Sequence, residues 1–224
     1  MLKVFYSAKL YPFMDKVLAL IRQADTAFYL TGGTALGRHY LHHRYSDDLD
    51  LFVNAAGDFR DQVKKALEAL RLGGIAFDVG TAAETFVRIM AREEETRLKI
   101  DFINDVTFHY GDFQEAPFYP RIDHWRNILS NKLCALSRRE PKDMADILSI
   151  ARSFSFAWPN IFSEARQKDL WVEPLEISRM VQEFPVELLE AVKWVKPCDP
   201  GSFAADLKAM HRDIFHGLDN SLKR

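Results

Sequence analysis

Hydrophobic and polar residues along the first half of the chain follow two different periods. In three segments the apolar positions recur every three or four residues, which predicts helices at 12–24, 35–43 and 58–72. Shorter runs are rich in β-branched and aromatic residues, as is typical of strands, and they lie at 27–30, 49–53, 75–79, 85–90 and 97–103. This half therefore predicts a β-sheet with helices packed against it.

From about Ile122 onward the chain shows helical spacing only. Prolines separate successive helical segments, and no segment alternates convincingly as a strand does. The sequence thus predicts an α+β protein with a sheet domain at 1–120 and a helical bundle at 121–224. The boundary is expected in APFYPRID, residues 116–123, where two prolines bracket two aromatic residues.

Composition and charge narrow the class of protein. Of the 224 residues 48% are apolar, which is enough for a packed core, and 30 basic against 32 acidic side chains give a formal net charge of -2. The overall charge therefore gives no indication of binding to nucleic acid or to an anionic membrane, and any such contact must be local. No apolar run approaches the roughly 18 residues that span a bilayer, so we expect a cytoplasmic protein. Cys134 and Cys198 lie outside any paired metal-binding spacing and are expected to be free thiols.

The stretch DDLD places carboxylates on a predicted strand. Alternate side chains of a strand share a face, so Asp48, Asp50 and Phe52 point one way, and Asp101 lies on one face of the later strand 97–103. Residues two apart in a strand are about 6.6 Å apart, so if the two strands are neighbours, Asp48 and Asp50 on one and Asp101 on the other can share cations. Oxygen ligands of this kind suit Mg²⁺ or Mn²⁺. Taken alone, the Asp-x-Asp pair is more typical of a solvated strand start than of a metal site.

Gly32, Gly33 and Thr34 stand between a predicted strand and a predicted helix. Backbone N–H groups at such a helix start can bind a phosphate, and the Thr34 hydroxyl can add a donor. The same residues also fit a tight turn with Thr34 as the N-cap, and the two interpretations are compatible.

A lysine and two acids stand out in the helical half. Lys132 lies within an apolar helical stripe, where an ammonium group requires an anionic partner or must extend to solvent. Asp143 falls in the first turn after Pro141, where an acid is favoured in any case, so Asp146 is the stronger functional candidate.

These residues together resemble a known family. The pattern Gly-Gly-Thr-Ala-Leu at 32–36, His-Arg-x-Ser-x-Asp-Leu-Asp at 43–50 and Lys-x-Asp at 99–101 resembles the nucleotidyltransferase superfamily, specifically its AbiEii/AbiGii toxin branch. A helical lysine followed by Lys-Asp-x-x-Asp extends the resemblance, and Lys132, Lys142, Asp143 and Asp146 match it. The resemblance covers roughly residues 31–148.

The resemblance implies a nucleotidyltransferase-like mixed sheet and a Mg²⁺- or Mn²⁺-dependent enzyme. It would move a nucleoside monophosphate from a nucleoside triphosphate to a hydroxyl of an acceptor, either RNA such as tRNA or protein, and it would be a toxin with a cognate antitoxin. The implied metal ligands are Asp48, Asp50 and Asp101, and the implied catalytic set adds Lys132 and Asp146. The implied nucleotide-binding residues are Gly32, Gly33, Thr34, Arg44, Ser46, Lys99, Lys132 and Asp143.

Other interpretations stay open at this point. The chain could bind nucleotide or a partner protein without transferring anything, or it could be a metal-dependent phosphohydrolase, although it lacks the histidine-rich ligand sets that such enzymes often use. His39, His42 and His43 have spacings that could bind a transition metal, but a partly exposed helix face is the simpler interpretation.

Overall fold

A computed structural model describes residues 2–197 and 199–223 of the chain. Within the described residues Cys134 forms no disulfide, as predicted, whereas Cys198 lies outside them. Within the described ranges, no helix has both the length and the apolar character needed to cross a bilayer.

The chain divides into two compact units. The first contains the chain through Ala35 and then Ser46–Asp123, and the second contains Leu36–Tyr45 and the chain from His124 onward. The short segment at 36–45, which the sequence analysis left within residues 1–120, thus belongs to the helical unit.

The first unit contains most of the helices and strands expected in the first half. In chain order these are α1 (Leu2–Phe5), a π-helical segment (Tyr6–Leu10), α2 (Tyr11–Gln23), β1 (Tyr29–Thr31), α3 (Gly32–Ala35), β2 (Asp48–Asn54), α4 (Phe59–Leu72), β3 (Ala76–Ala82), β4 (Phe86–Glu93), β5 (Thr96–Asp105), β6 (Gln114–Ala116) and β7 (Tyr119–Ile122).

In the described part of this unit the seven strands form one mixed sheet in the order β3-β4-β5-β2-β1-β7-β6. β2 runs parallel to β5 and β1 runs parallel to β7, while the other neighbours are antiparallel. The predicted α+β class with a mixed sheet is confirmed.

One face of the central strands forms the core. Leu49, Leu51, Ile100 and Phe102 are fully buried there, and the ring of Phe28 packs on that of Phe102 with 5.0 Å between centroids. Each buried side chain of this kind contributes roughly 1.5–3 kcal/mol of transfer free energy. The alternation that buries these residues turns their neighbours, including the acids of β2, to the opposite face.

The segment APFYPRID, in which the boundary is expected, is part of the sheet, and the two units divide directly after its last residue, Asp123. It supplies the end of β6 and all of β7, and Ala116 pairs with Tyr119 across the turn. Pro117 lies in that turn, where its missing N–H removes no ladder hydrogen bond. β7 then joins the sheet through the pairing of Ile122 with Leu30 of β1.

The second unit is helical, as predicted. It contains a π-helical segment (Leu36–Tyr40), α5 (Trp125–Ala135), α6 (Pro141–Ser153), α7 (Trp158–Arg166), α8 (Pro174–Gln182) and α9 (Pro200–Phe215), with short 3₁₀ turns at Leu136–Arg138 and Val186–Ala191. Pro141, Pro159 and Pro174 each stand in the first turn of a helix, where proline is tolerated because that N–H has no intrahelical acceptor. The helix predicted through His43 ends at Tyr40 instead, and His42 adopts a positive φ of 50°.

Candidate active site

Three carboxylates lie on the face of the two central strands that is turned away from the core; Asp48 and Asp50 are partly buried there and Asp101 is buried. In the parallel register of β2 and β5, Asp48 pairs with Lys99 and Asp50 pairs with Asp101. Residues paired in this way point to the same face, and neighbouring strands are about 4.8 Å apart. The prediction that Asp48, Asp50 and Asp101 share one face of adjacent strands is therefore confirmed. We call Asp48, Asp50, Asp101, Lys99 and Arg88 the acid face.

Two cations are bonded to the acids of this face. Lys99 Nζ lies 2.8 Å from Asp48 Oδ2. Arg88 stands opposite Asp101 in the antiparallel register of β4 and β5, and it donates from Nε to Oδ1 and from Nη2 to Oδ2, both at 2.7 Å. Such bidentate pairs are among the strongest hydrogen bonds between side chains.

The carboxylates keep both cations charged. Partial burial alone would lower the pKa of Lys99, but the hydrogen bond to Asp48 and the charges of the nearby acids raise it above its ordinary value. The hydrogen bonds to Asp101 raise the pKa of Arg88, and the charges of Asp48 and Asp50 add to the effect. The acids of β2 and β5 therefore act on both cations as one electrostatic group.

Glycine is required at position 32. Gly32 has a φ of +68°, and a Cβ placed there would come within 2.4 Å of Asp50 Oδ2. The next turn is tied to the same strand, because the buried hydroxyl of Thr34 donates to the main-chain oxygen of Asp48 at 2.5 Å. The Gly-Gly-Thr segment is thus packed directly along the start of β2.

The other candidate residues near the Gly-Gly-Thr segment differ in burial. Gly33 and Ser46 are buried, and the Ser46 N–H donates to the Tyr11 hydroxyl at 3.4 Å. His42 is exposed, and His39 makes an edge contact with its neighbour Tyr40.

In the helical unit, the predicted lysine and acids form a buried ionic cluster. Lys132 Nζ lies 2.6 Å from Asp143 Oδ1 and 2.7 Å from Asp146 Oδ2, and Arg44 donates from Nε and Nη2 to the two oxygens of Asp146 at 2.7 Å each. His43 Nε2 lies 2.8 Å from Asp146 Oδ1. We call these five residues the Asp146 cluster. The anionic partner that Lys132 requires is therefore supplied by the protein itself.

Burial and charge oppose each other in this cluster. Burial alone would raise the pKa of Asp146, but Arg44 and Lys132 hold it well below its ordinary value. Burial alone would lower the pKa of Lys132, yet the charges of Asp146 and Asp143 raise it. For His43 burial prevails, and its pKa is lowered despite the hydrogen bond to Asp146. The stable state of the cluster has two carboxylates, two cations and a neutral imidazole.

The acid face fits a divalent cation in its chemistry. Three carboxylates on neighbouring strands are the ligands that Mg²⁺ and Mn²⁺ prefer. Among the residues that the structure describes, however, no three His, Cys, Asp or Glu side chains converge closely enough to hold an ion. The hydrogen bonds from Arg88 occupy both oxygens of Asp101, so an ion would compete with this arginine for that ligand.

Sequence reasoning missed Arg88, although a signal for it exists. Glu93 pairs with Thr96, so the β4–β5 hairpin has a two-residue turn, and counting back five residues on each strand places Arg88 opposite Asp101. The strands predicted at 85–90 and 97–103 both stop short of this turn, so the prediction left their register open.

A second missed group extends the acid row by one strand. Thr31 of β1 pairs with Asp50 and donates its hydroxyl to Asp123 Oδ2 at 2.5 Å, and His109 Nε2 lies 2.9 Å from Asp123 Oδ1. Asp123 is completely buried. Its separation of 92 residues from Thr31 leaves no local sequence signal for this contact.

Comparison with known proteins agrees with these features. The family described as "Nucleotidyl transferase AbiEii toxin, Type IV TA system" matches residues 17–170. The structure resembles that of JHP933 from Helicobacter pylori, with a TM-score of 0.59 and 19% identity over 93% of this chain and 91% of that one. It also resembles a candidate nucleotidyltransferase from H. pylori, with a TM-score of 0.60 and 20% identity over 94% and 97% of the two chains. No curated protein matches the chain.

The two structural likenesses show the fold, and the family match covers more than half of the chain, including both the acid face and the Asp146 cluster. The chain therefore belongs to the AbiEii nucleotidyl transferase toxin family of type IV toxin–antitoxin systems.

Proposed function

We propose that the protein is a metal-dependent nucleotidyltransferase that moves a nucleoside monophosphate from a nucleoside triphosphate to a hydroxyl of an acceptor. RNA such as tRNA is the proposed acceptor class, a cognate antitoxin is the proposed protein partner, and the cytoplasm, where these molecules occur, is the proposed compartment. The observation that carries the proposal is the acid face, because Asp50 and Asp101 are register neighbours and Asp48 lies two residues away on the same side.

Asp48, Asp50 and Asp101 would hold Mg²⁺ or Mn²⁺. A bound ion of this kind supplies positive charge to the triphosphate and lowers the pKa of a hydroxyl beside it. The chain provides the positions of the ligands, since the hydroxyl of Thr34 fixes the main chain at Asp48 and Gly32 leaves room for the Asp50 carboxylate. Holding ligands in place before substrate binds is a general source of catalytic power.

Lys99 and the Gly-Gly-Thr segment would bind the phosphates. Lys99 remains cationic at the Asp48 end of the acid face. Gly33 and Thr34 can offer backbone N–H groups, as nests of successive amides do for anions. The Thr34 hydroxyl already donates within the protein, so the backbone is the proposed contact at this residue.

Roles for the Asp146 cluster are proposed separately. Charge balance on the leaving pyrophosphate by Lys132 requires its ammonium group to exchange Asp143 or Asp146 for phosphate. Asp146 is enclosed by Arg44, Lys132 and His43, which supports a role in holding Arg44 and His43 rather than in contacting substrate.

Label transfer tests the proposal directly. The purified chain is incubated with Mg²⁺, each α-labelled nucleoside triphosphate and total RNA, and wild type is compared with Asp48→Ala and with the surface variant Asp78→Ala. We expect label in RNA with wild type and Asp78→Ala and its loss with Asp48→Ala. Transfer that persists unchanged in Asp48→Ala would remove the metal assignment.

One observation favours a second candidate function. Arg88 and Lys99 already bond two of the three acids, an arrangement that also fits a protein that binds nucleotide or a partner without transferring anything. Mg²⁺-dependent nucleotide binding with no pyrophosphate release, whichever acceptor is supplied, would support this alternative over the transferase.

A further inference from the structure

An apolar row lies beside the acids on the same face of the sheet. Phe52 pairs with Ile103, and Ile103 pairs with Phe86, so these residues stand side by side on β2, β5 and β4. Each lies two positions from Asp50, Asp101 or Arg88, a distance of about 6.6 Å along the strand. All three are only partly buried, whereas Leu51 and Phe102 between the rows are fully buried on the opposite face. We call Phe52, Ile103 and Phe86 the apolar shelf.

The shelf has a rigid support and a positive edge. Tyr29, which is buried, pairs with Phe52 and packs on it with 6.1 Å between ring centroids, while its hydroxyl donates to Asn54. The guanidinium of Arg88 lies 5.2 Å from the ring centroid of Phe86 while it bonds Asp101. Flat apolar side chains beside a guanidinium form the kind of surface on which nucleobases stack.

The apolar shelf and the proposed phosphate-binding residues lie at different places along β2, and their order sets the direction from which an acceptor would approach. A Cβ on Gly32 would meet the Asp50 carboxylate, Thr34 bonds the main chain of Asp48, and Lys99 bonds its side chain. All three residues therefore stand toward the start of β2. The shelf begins at Phe52, on the far side of Asp50. The two groups therefore lie at opposite ends of the acid face.

An in-line displacement would place the triphosphate tail and the acceptor hydroxyl at opposite ends of the acid face. The oxygen of the acceptor hydroxyl forms a bond to the α-phosphorus, the bond from that phosphorus to the bridging oxygen breaks, the electron pair leaves with pyrophosphate, and the hydroxyl proton passes to water. Attacking and leaving oxygens stand on opposite sides of the phosphorus. With the triphosphate tail at the Gly32–Thr34 end, the acceptor hydroxyl arrives from the end where the shelf lies.

We propose that the apolar shelf binds the terminal base of an RNA acceptor and so presents the terminal ribose hydroxyl to the acid face. This inference rests on the proposed function, because the direction of attack follows from where the triphosphate is placed. A stacked base matches both the apolar surface and the adjacent guanidinium, whereas a serine or threonine acceptor of a protein would leave the shelf without a matching group.

Two measurements on Phe52→Leu test the shelf. Leucine keeps the apolar volume and removes the ring, so we expect the KM for the RNA acceptor to rise about tenfold while the KM for the nucleoside triphosphate changes less than twofold. Phe52→Trp should restore the acceptor KM. The control is Phe77→Leu on β3, a partly buried phenylalanine on the opposite face of the sheet, since it pairs with Ala91.

A photo-crosslink detects the contact between the terminal base of the RNA and the apolar shelf without requiring catalysis. An RNA oligonucleotide with 3′-terminal 4-thiouridine is irradiated with the protein in EDTA, and we expect the crosslink to map to β2 or β4 and to fall at least fivefold in Phe52→Leu but not in Phe77→Leu. Thermal melting confirms that both variants are folded.

The outcomes distinguish the proposed RNA-binding role of the apolar shelf from the proposed transferase function. Unchanged acceptor KM and crosslinking in folded Phe52→Leu would overturn the shelf while label transfer by wild type keeps the proposed function. Label found in protein and not in RNA would also overturn the shelf. No transfer by wild type, together with a crosslink that depends on Phe52, would overturn the transferase and support the shelf as an RNA-binding site.

Discussion

The acid face and the Asp146 cluster are built from the same residue types in opposite surroundings. On the acid face, the side chains of Asp48 and Arg88 are 24% and 43% exposed, and Lys99 is 27% exposed. In the Asp146 cluster, Asp146 is fully buried and the side chain of Lys132 is 11% exposed. Apart from Arg88, both groups match the family pattern. Water reaches Asp48, Lys99 and Arg88 more than it reaches Asp146 or Lys132, while the Asp101 side chain is only 6% exposed.

This difference separates ionic pairs that can exchange partners from pairs that cannot. An exposed pair is worth little because water and salt compete for both partners, so a phosphate or a metal ion can displace Lys99 from the partly exposed Asp48 at small cost. Arg88 is held more firmly, because its bond to Asp101 is bidentate and the Asp101 side chain is only 6% exposed. A buried charge without its partner is far more costly, so the members of the Asp146 cluster hold each other in place. Membership in the family pattern therefore does not by itself identify a side chain that contacts substrate.

Removing the carboxylate at the centre of the Asp146 cluster tests most directly whether this buried cluster stabilises the fold. We expect Asp146→Ala to lower the free energy of unfolding by about 3–5 kcal/mol, because Arg44 and Lys132 then remain buried without their shared carboxylate. Urea denaturation measures the change, with the exposed Asp78→Ala as the control. A loss below about 1 kcal/mol would show that water reaches the cluster and would cancel the distinction.

Asp50→Asn tests the acid face, where the carboxylate is partly exposed. We expect transfer to fall by about 10²-fold or more while the free energy of unfolding changes by less than about 1 kcal/mol, since the amide keeps the shape and removes a charge from a partly exposed site. Initial rates and denaturation on the same preparation give both numbers. If Asp50→Asn instead unfolded the protein while leaving the rate per folded molecule intact, the acid would be structural.

Gly32→Ala tests whether the close packing of Gly32 against Asp50 is needed for stability. The methyl group would meet Asp50 Oδ2 at 2.4 Å and would also occupy a positive φ, so we expect a loss of about 2–3 kcal/mol and a displaced Asp50. The matched control is Gly74→Ala, which has a φ of +75° but no atom within 4 Å of the added carbon, and which should lose only about 1 kcal/mol. Equal losses in the two variants would mean that the clash with Asp50 is relieved without consequence.

The two regions also differ in how far the sequence predicts them. Alternation along β2 and β5 was sufficient to place Asp48, Asp50 and Asp101 on one face, because the side-chain period of a strand leaves only one choice once a face is buried. The apolar neighbours of Lys132 indicated its burial in the same way. The bond from Arg44 to Asp146 was less predictable, since it spans 102 positions and depends on how segment 36–45 meets α6 within the helical unit.

Register explains most of what sequence reasoning missed on the sheet. Arg88 could have been found from the two-residue turn after Glu93, because a hairpin turn fixes every pair behind it. The contact of Thr31 with Asp123 could not, because it depends on β7 lying beside β1, and the sequence predicts a domain boundary but no strand in the segment that forms β7. Local patterns therefore predict faces, while long-range pairing decides which side chains meet.

The smallest expected effect concerns the neutral imidazole of the Asp146 cluster. Burial lowers the pKa of His43 below its unfolded value, so the folded state binds fewer protons than the unfolded state below about pH 6.5, and stability should fall as the pH decreases through that range. The contribution of this residue is at most about 1.4 kcal/mol per pH unit. The depressed pKa of Asp146 acts in the same direction at lower pH.

His43→Gln removes this titration while its amide can still donate to Asp146. Between pH 7.5 and pH 5 we expect the free energy of unfolding of wild type to fall more steeply than that of the variant, while at pH 7.5 the two differ by less than about 1 kcal/mol. Urea denaturation at half-unit pH intervals measures both slopes. Parallel slopes would mean that His43 accepts a proton in the folded state as readily as in the unfolded state, which would require solvent to enter the cluster and would remove the main contrast with the acid face.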